Sequence, residues 1–194
     1  MWIKISITTL CLFTINLFAI DPFSTHNEPD TSKINKIRNE FYLAVEDDDV
    51  LDELVGYIEG IYQKDSENYP AVILAYYGAL ETLRAKHSYN PYNKAKYVIS
   101  GLKKLNSAVE KSPGTLEVRF LRFAVLHNIP GIFGIKDERT DDLNAAYQQL
   151  LKKDYTTISI KLQKGIVEFL LKSERLDAEQ INNLKKIYPD LVYE

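Results

Sequence analysis

Pro70-Ala71-Val72-Ile73-Leu74-Ala75-Tyr76-Tyr77-Gly78-Ala79-Leu80 is the stretch that decides the fold. Ala71 to Leu80 carries no charge, so a helix here has no wet face and belongs in the middle of the molecule. Pro70 suits a first helical position, where its missing N–H costs nothing. Gly78 lowers helix propensity by about 1 kcal/mol relative to Ala, a loss that makes sense where another helix packs close.

On the N-terminal side, Ile34, Ile37, Phe41 and Val45 recur at three- and four-residue spacing, the signature of one helical face, with Ser32 as its N-cap. Glu46-Asp47-Asp48-Asp49 interrupts the pattern, and a second stripe follows at Val50, Leu51, Leu54, Val55, Ile58 and Ile61. This predicts two antiparallel helices joined by a tight acidic turn, its carboxylates set against the positive end of the second helix.

On the C-terminal side, charge returns at Glu81 and Arg84, and His87 to Asn90 reads as a polar loop. Pro91 starts an amphipathic helix with Val98, Leu102, Leu105 and Val109 inward, ending near Ser112-Pro113-Gly114; Lys94, Lys96, Lys103 and Lys104 form its wet face. Thr115 caps a mostly apolar helix through Leu126, closed by His127-Asn128 before Pro130. Thr140 or Asp141 starts the next helix, Thr157 to Lys172 forms another, and Asp177 with Gln180 makes a capping box for the last, which runs to Tyr188. Tyr155 to Ile160 is β-branched and extends before turning helical. The expected fold is all-α, with eight helices of about 12 to 22 residues in antiparallel pairs stacked side by side.

The first nineteen residues read as a secretory signal peptide: Lys4 is their only charge, an apolar run spans Ile5 to Phe18, and Leu17 and Ala19 fill the −3 and −1 cleavage positions. Residues 20–32, polar and holding Pro22 and Pro29, form a disordered lead-in, and residues 33–194 one helical domain. Cleavage removes Lys4 and takes the formal charge from −3 to −4, a balance that favours neither nucleic acid nor an anionic membrane as partner. It also removes Cys11, the only cysteine, so core packing must supply the stability of an exported chain without a transmembrane span.

Leu102-Lys103-Lys104-Leu105-Asn106-Ser107-Ala108-Val109-Glu110-Lys111-Ser112-Pro113 resembles the second helix of a tetratricopeptide repeat, with Ala108 and Pro113 at that family's spacing. Ala75 to Leu80 similarly resembles a first helix, Gly78 being its small crossing residue. The helix from Pro91 is longer than a standard repeat allows, Phe123 stands where a small residue is usual, and no strict 34-residue period survives. The resemblance therefore implies an irregular array. Phe41 to Asp47, Arg119-Phe120-Leu121-Arg122-Phe123 and Asn128-Ile129-Pro130-Gly131 also resemble a family of exported bacterial proteins of about this length that brings no activity with it.

Catalytic signatures are missing from the text of the chain. His26, His87 and His127 are widely separated and match no metal-ligand spacing; there is no nucleophile elbow, no phosphate-cradling glycine loop and no thiol nucleophile. No cofactor is implied. Three groups remain as candidate binding residues. Tyr76, Tyr77, Tyr89 and Tyr92, with Asn90 and Asn93, either line a peptide or glycan groove or sit at the core edge with wet hydroxyls. Arg119 and Arg122 lie about 60° apart on an apolar helix, so they need either internal carboxylates, such as Glu81, Glu110 or Asp141, or a bound anion. His127, at a helix end where the dipole supports an imidazolium, adjoins the apolar loop Ile129 to Ile135, whose Phe133 is either covered or a contact residue. The expectation is an exported protein- or peptide-binding scaffold of the bacterial envelope; the alternatives are a hydrolase-like enzyme with a pocket between helices and a binder of small acidic ligands through Arg119 and Arg122.

Overall fold

The structure is a computed structural model and describes residues 30–63, 65–130 and 134–189. The expected signal peptide, His26, most of the expected lead-in and Phe133 lie outside the described residues. Eight α-helices and one 3₁₀ turn make up the regular structure, and no strand occurs among the described residues. The helices are α1 (Thr31–Ala44), α2 (Asp48–Tyr62), α3 (Ala71–His87), α4 (Pro91–Lys111), α5 (Leu116–Asn128), α6 (Lys136–Leu151), α7 (Ile160–Lys172) and α8 (Ala178–Ile187).

Local chemistry accounts for most boundaries. The Asp47 carboxylate accepts from the backbone N–H groups of Asp49 and Val50, so the acidic turn caps α2 while Asp48 and Asp49 face its positive end. Asn90 caps α4 with Pro91 inside the first turn. The capping box of α8 is complete, Asp177 accepting from the Gln180 N–H at 2.8 Å and Gln180 accepting from the Asp177 N–H at 3.1 Å.

Three boundaries differ from the sequence expectation. Asp30, not Ser32, caps α1, because its carboxylate is placed to accept from the Ser32 N–H. α6 begins at Lys136 rather than at Thr140 or Asp141. Asp137 and Glu138 then fall in the first turn, where the dipole favours them, and the Thr140 hydroxyl donates back to the Lys136 carbonyl instead of capping. α7 starts at Ile160 behind a Ser159 cap, three residues later than Thr157, since Asp154 holds Thr156 through both its N–H and its hydroxyl in a turn. The helices span 10 to 21 residues, α8 being the shortest.

Side-chain pairs fix how neighbours run. Arg84 with Asp52 and Tyr77 with Glu59 match the end of α3 to the start of α2, so these two helices are antiparallel. Gly78 against Gly101 and Lys111 against the Tyr69 carbonyl do the same for α3 and α4, and Arg119 with Asp142 beside Arg139 with the Leu126 carbonyl for α5 and α6. Helices one pair apart also touch, α1 with α3, α3 with α5 and α6 with α8.

The closest crossing lies between α3 and α4. A Cβ on Gly101 would stand 2.6 Å from the Gly78 carbonyl oxygen and 2.9 Å from the Thr82 nitrogen, and one on Gly78 would stand 2.9 Å from the Gly101 carbonyl. Two glycines therefore let the backbones meet, the role that the uncharged stretch assigned to Gly78. Its partner Gly101 has no such signal in its own helix.

Two apolar cores result. One joins α1 to α4 with Val118 and Leu121; the other joins Leu116, Phe120 and Phe123 to α6, α7 and α8. α5 belongs to both, each face supplying one core. Its charged residues therefore lie where water is scarce.

Candidate functional site

α5 carries two buried ionic clusters, one toward each half of the molecule. Glu117 is 2% exposed and accepts from Arg38 Nε at 2.8 Å and Nη2 at 2.6 Å, and from the Tyr76 hydroxyl at 2.6 Å. A carboxylate so placed would be costly unpaired, and three donors satisfy it. The hydrogen bond to Glu117 raises the Arg38 pKa further, and burial followed by the Glu117 charge pushes the Tyr76 hydroxyl well above its ordinary value. Tyr76 therefore donates and stays neutral. The pairing ties α1 to α5 across α3, while the Tyr42 hydroxyl reaches to 3.9 Å from the position a Cβ on Gly165 of α7 would take.

On the other side, Asp142 of α6 is fully buried. Arg122 donates to it twice, from Nε at 2.6 Å and Nη2 at 2.9 Å, and Arg119 Nη1 donates at 2.8 Å. Arg122 Nη1 also donates to Asn106 Oδ1 of α4, and Arg119 Nε to the Pro113 carbonyl. The arginine pair is thus joined to an internal carboxylate. Asp142, one residue beyond the Asp141 considered from sequence, turns inward on α6, whereas Asp141 is exposed. Neither Glu81 nor Glu110 serves: Glu81 pairs with Lys104.

The four candidate tyrosines do not form one groove. Tyr76 is buried on Glu117, and Tyr77 is half-buried with its hydroxyl donating to Glu59 at 2.6 Å and Lys104 above its ring. Tyr89 and Tyr92 are exposed instead, Tyr89 fully. Lys104 likewise leaves the wet face expected of it, because Glu81 and the Tyr77 ring draw it against α3 while it also donates to Ser100 of its own helix.

The remaining surface of α4 is outward and basic. Tyr92, Lys96, Ile99 and Lys103 fall within about 60° of one another at 100° per residue. Tyr92 is 76% and Ile99 69% exposed. Pro91 to Val109 contains four lysines and no acid.

His127 differs from its dipole-supported expectation. Its ring lies against Phe123 and Phe169, and Nδ1 accepts from Arg175 Nε at 2.8 Å. Burial first, then the charges of Arg175 and Arg139, lowers its pKa, so the neutral ring is favoured. Burial, joined by two guanidinium groups, outweighs the carbonyl end of one helix. His87 is a separate case: its Nε2 is buried and has no hydrogen-bond partner.

Beside His127, a cavity of about 350 Å³ opens between α6 and the turn into α8. Lys136, Arg139, Thr140 and Asn144 form one wall, and Glu174, Arg175, Asp177 and Gln180 the other. Sequence reasoning passed over this site because Arg139 and Arg175 are 36 positions apart and no motif links them.

Among the described residues no group of three or more His, Cys, Asp or Glu side chains is placed to hold a metal ion, and no helix is long and apolar enough to cross a membrane. The chain matches no protein-family model, no curated protein and no solved structure.

Proposed function

We propose that this protein is an exported helical interaction module, built as an irregular tetratricopeptide-like array, that binds an acidic segment of a protein partner. The order of helix contacts supports an irregular array: each helix touches its successor up to α7, and α1 stacks on α3, α3 on α5 and α6 on α8. The short apolar leader through Phe18 supports export, and N-terminal sequencing of the exported protein should begin near Ile20 or Asp21.

The single observation that carries the binding role is the outward stripe of α4. In a regular array the partner surface is the inner face, formed by the first helix of each pair. Here the molecule's own side chains fill part of that face, through Arg38 and Tyr76 on the buried Glu117. Tyr92 and Ile99 offer apolar area on the outer face, and Lys96 and Lys103 between and beyond them offer positive charge on a chain whose formal charge is −3. Charge complementarity selects an acidic partner. A membrane surface is a poorer match, since anionic lipid recognition draws on clusters of about four to eight basic residues and this stripe presents two, Lys104 being paired with Glu81.

Photo-crosslinking from position 99 in cells exporting the full chain tests this. Mass spectrometry should map the crosslink to an acid-rich protein segment, and Lys96→Glu with Lys103→Glu should abolish it. Crosslinks confined to lipid, to a second copy of the chain or to nothing would overturn the proposal.

A further inference from the structure

The chain has six arginines. Four of them pair with carboxylates: Arg38 with Glu117, Arg84 with Asp52, and Arg119 and Arg122 with Asp142. The two that make no ion pair among the described residues, Arg139 and Arg175, line the same cavity, and Lys136, also without an ion pair, completes the cationic wall. Glu174 and Asp177 share that cavity but bridge none of these cations, and the Asp177 carboxylate is engaged in capping α8. Three cations without a direct carboxylate contact, set against two carboxylates on the same rim, leave the concavity with a net positive charge that favours an entering anion.

Each guanidinium is steered but not satisfied. Arg175 Nε is held by His127 Nδ1 at 2.8 Å, and Arg139 Nη1 makes only a 3.4 Å contact with the Leu126 carbonyl. Both ends of these planar forks thus keep free N–H donors, the geometry suited to an oxyanion. The wall beside them is polar: Gln180 donates to Asn144 Oδ1 at 3.1 Å, and the Thr140 hydroxyl is turned to the Lys136 carbonyl. A volume of about 350 Å³ is at the small-ligand end of the range for binding sites.

We infer that the cavity between α6 and the α7–α8 turn is a binding site for a small polar anion, a phosphate or polycarboxylate molecule, held by Arg139 and Arg175 with Lys136 in support. His127 acts as a positioning residue, because its Nδ1 lone pair fixes the Arg175 guanidinium at the cavity's edge. Burial lowers the His127 pKa first and the Arg175 and Arg139 charges add to it; an arriving anion relieves the charge contribution, so the ring reports occupancy. This site shares no residue with the α4 stripe, and either stands without the other.

Calorimetric titration of the folded protein with inorganic phosphate and, separately, with citrate at constant chloride is the test. One saturable site should appear with at least one of the two, the preferred probe distinguishing phosphate from carboxylate. Arg139→Gln and Arg175→Gln should each weaken it at least tenfold, whereas Lys161→Gln, an exposed change on α7, should leave it unaltered. His127→Asn, which retains a hydrogen-bond acceptor, should bind more tightly than His127→Phe. Should an arginine variant fail to fold, amide and His127 imidazole shifts of the wild type on phosphate addition decide the matter: perturbations confined to His127, Arg139, Thr140, Asn144, Arg175 and Gln180 support the site. No saturation with either anion below 10 mM, binding that survives both arginine substitutions, or shifts centred on α4 would overturn the inference.

Discussion

Replacing Arg122 by Met is the sharpest perturbation of this architecture, because it removes two of the three donors of a carboxylate with no access to water. Asp142 loses the Nε bond at 2.6 Å and the Nη2 bond at 2.9 Å and keeps only Arg119 at 2.8 Å; Asn106 Oδ1 loses its guanidinium donor as well. Breaking a buried pair by removing one partner costs about 3–5 kcal/mol. The surviving Arg119 bond places this case near ~3 kcal/mol. With a urea slope of about 2 kcal/mol/M, the unfolding midpoint should fall by roughly 1.5 M. Combining Arg122→Met with Asp142→Leu removes the stranded carboxylate and should restore part of the loss, less than a full apolar replacement would, because Arg119 then loses its carboxylate partner. The assay is a set of urea melts on wild type, both single variants and the double variant, with and without phosphate. A neutral Arg122→Met, or a phosphate-induced stabilisation of the wild type that this change abolishes, would refute the internal-pair account and return the arginines to an external ligand.

Two further outcomes follow from packing and titration. Gly101→Ala should destabilise by about 1–3 kcal/mol through overpacking, although alanine favours helices, because its Cβ meets the Gly78 carbonyl and the Thr82 backbone; Gly56→Ala, with open space around it, should instead stabilise by up to ~1 kcal/mol, and equal effects at the two positions in thermal melts would contradict the close crossing. For His127 the folded pKa lies below 6.5, so as pH falls through 6.5 the unfolded chain takes up a proton that the folded ring refuses; stability declines from there until the folded pKa is reached and is constant below it. Arg175 from the turn before α8 and Arg139 from α6 are the charges facing this ring, with Phe123 and Phe169 against it. His127→Gln should reduce the loss of stability between pH 7 and 5 relative to wild type, and an identical pH profile for the two would show that the imidazole does not titrate as described.

Helix identity was legible in the chain because periodicity and capping act over one or two turns. The Val50 to Ile61 stripe, Pro91 after Asn90 and the Asp177 box each declare themselves within about a dozen residues, and each appears in the structure. The start of α6 was misplaced because Thr140 and Asp141 look like caps while Asp137 and Glu138 stabilise an earlier start through the dipole, two signals of similar strength. The need of Arg119 and Arg122 for a carboxylate also followed from their apolar helix. Which carboxylate did not, because Asp141 and Asp142 differ by about 100° around α6 and only packing says which points inward.

The sequence by itself determined that this chain is all-helical, where most helices begin and end, that Gly78 marks a close crossing, and that two arginines required a counter-charge. Tertiary structure alone decided the rest, because it depends on residues far apart in the chain. It chose Gly101 as the partner of Gly78, joined Glu117 to Arg38 over 79 positions, and split the tyrosines into buried Tyr76, half-buried Tyr77 and an exposed pair. It also brought Arg139, Arg175 and His127 together at one cavity. Periodicity reports which face of a helix is dry. The identity of what covers that face is set by the stacking of whole helices, a sum over many weak contacts that no local window contains.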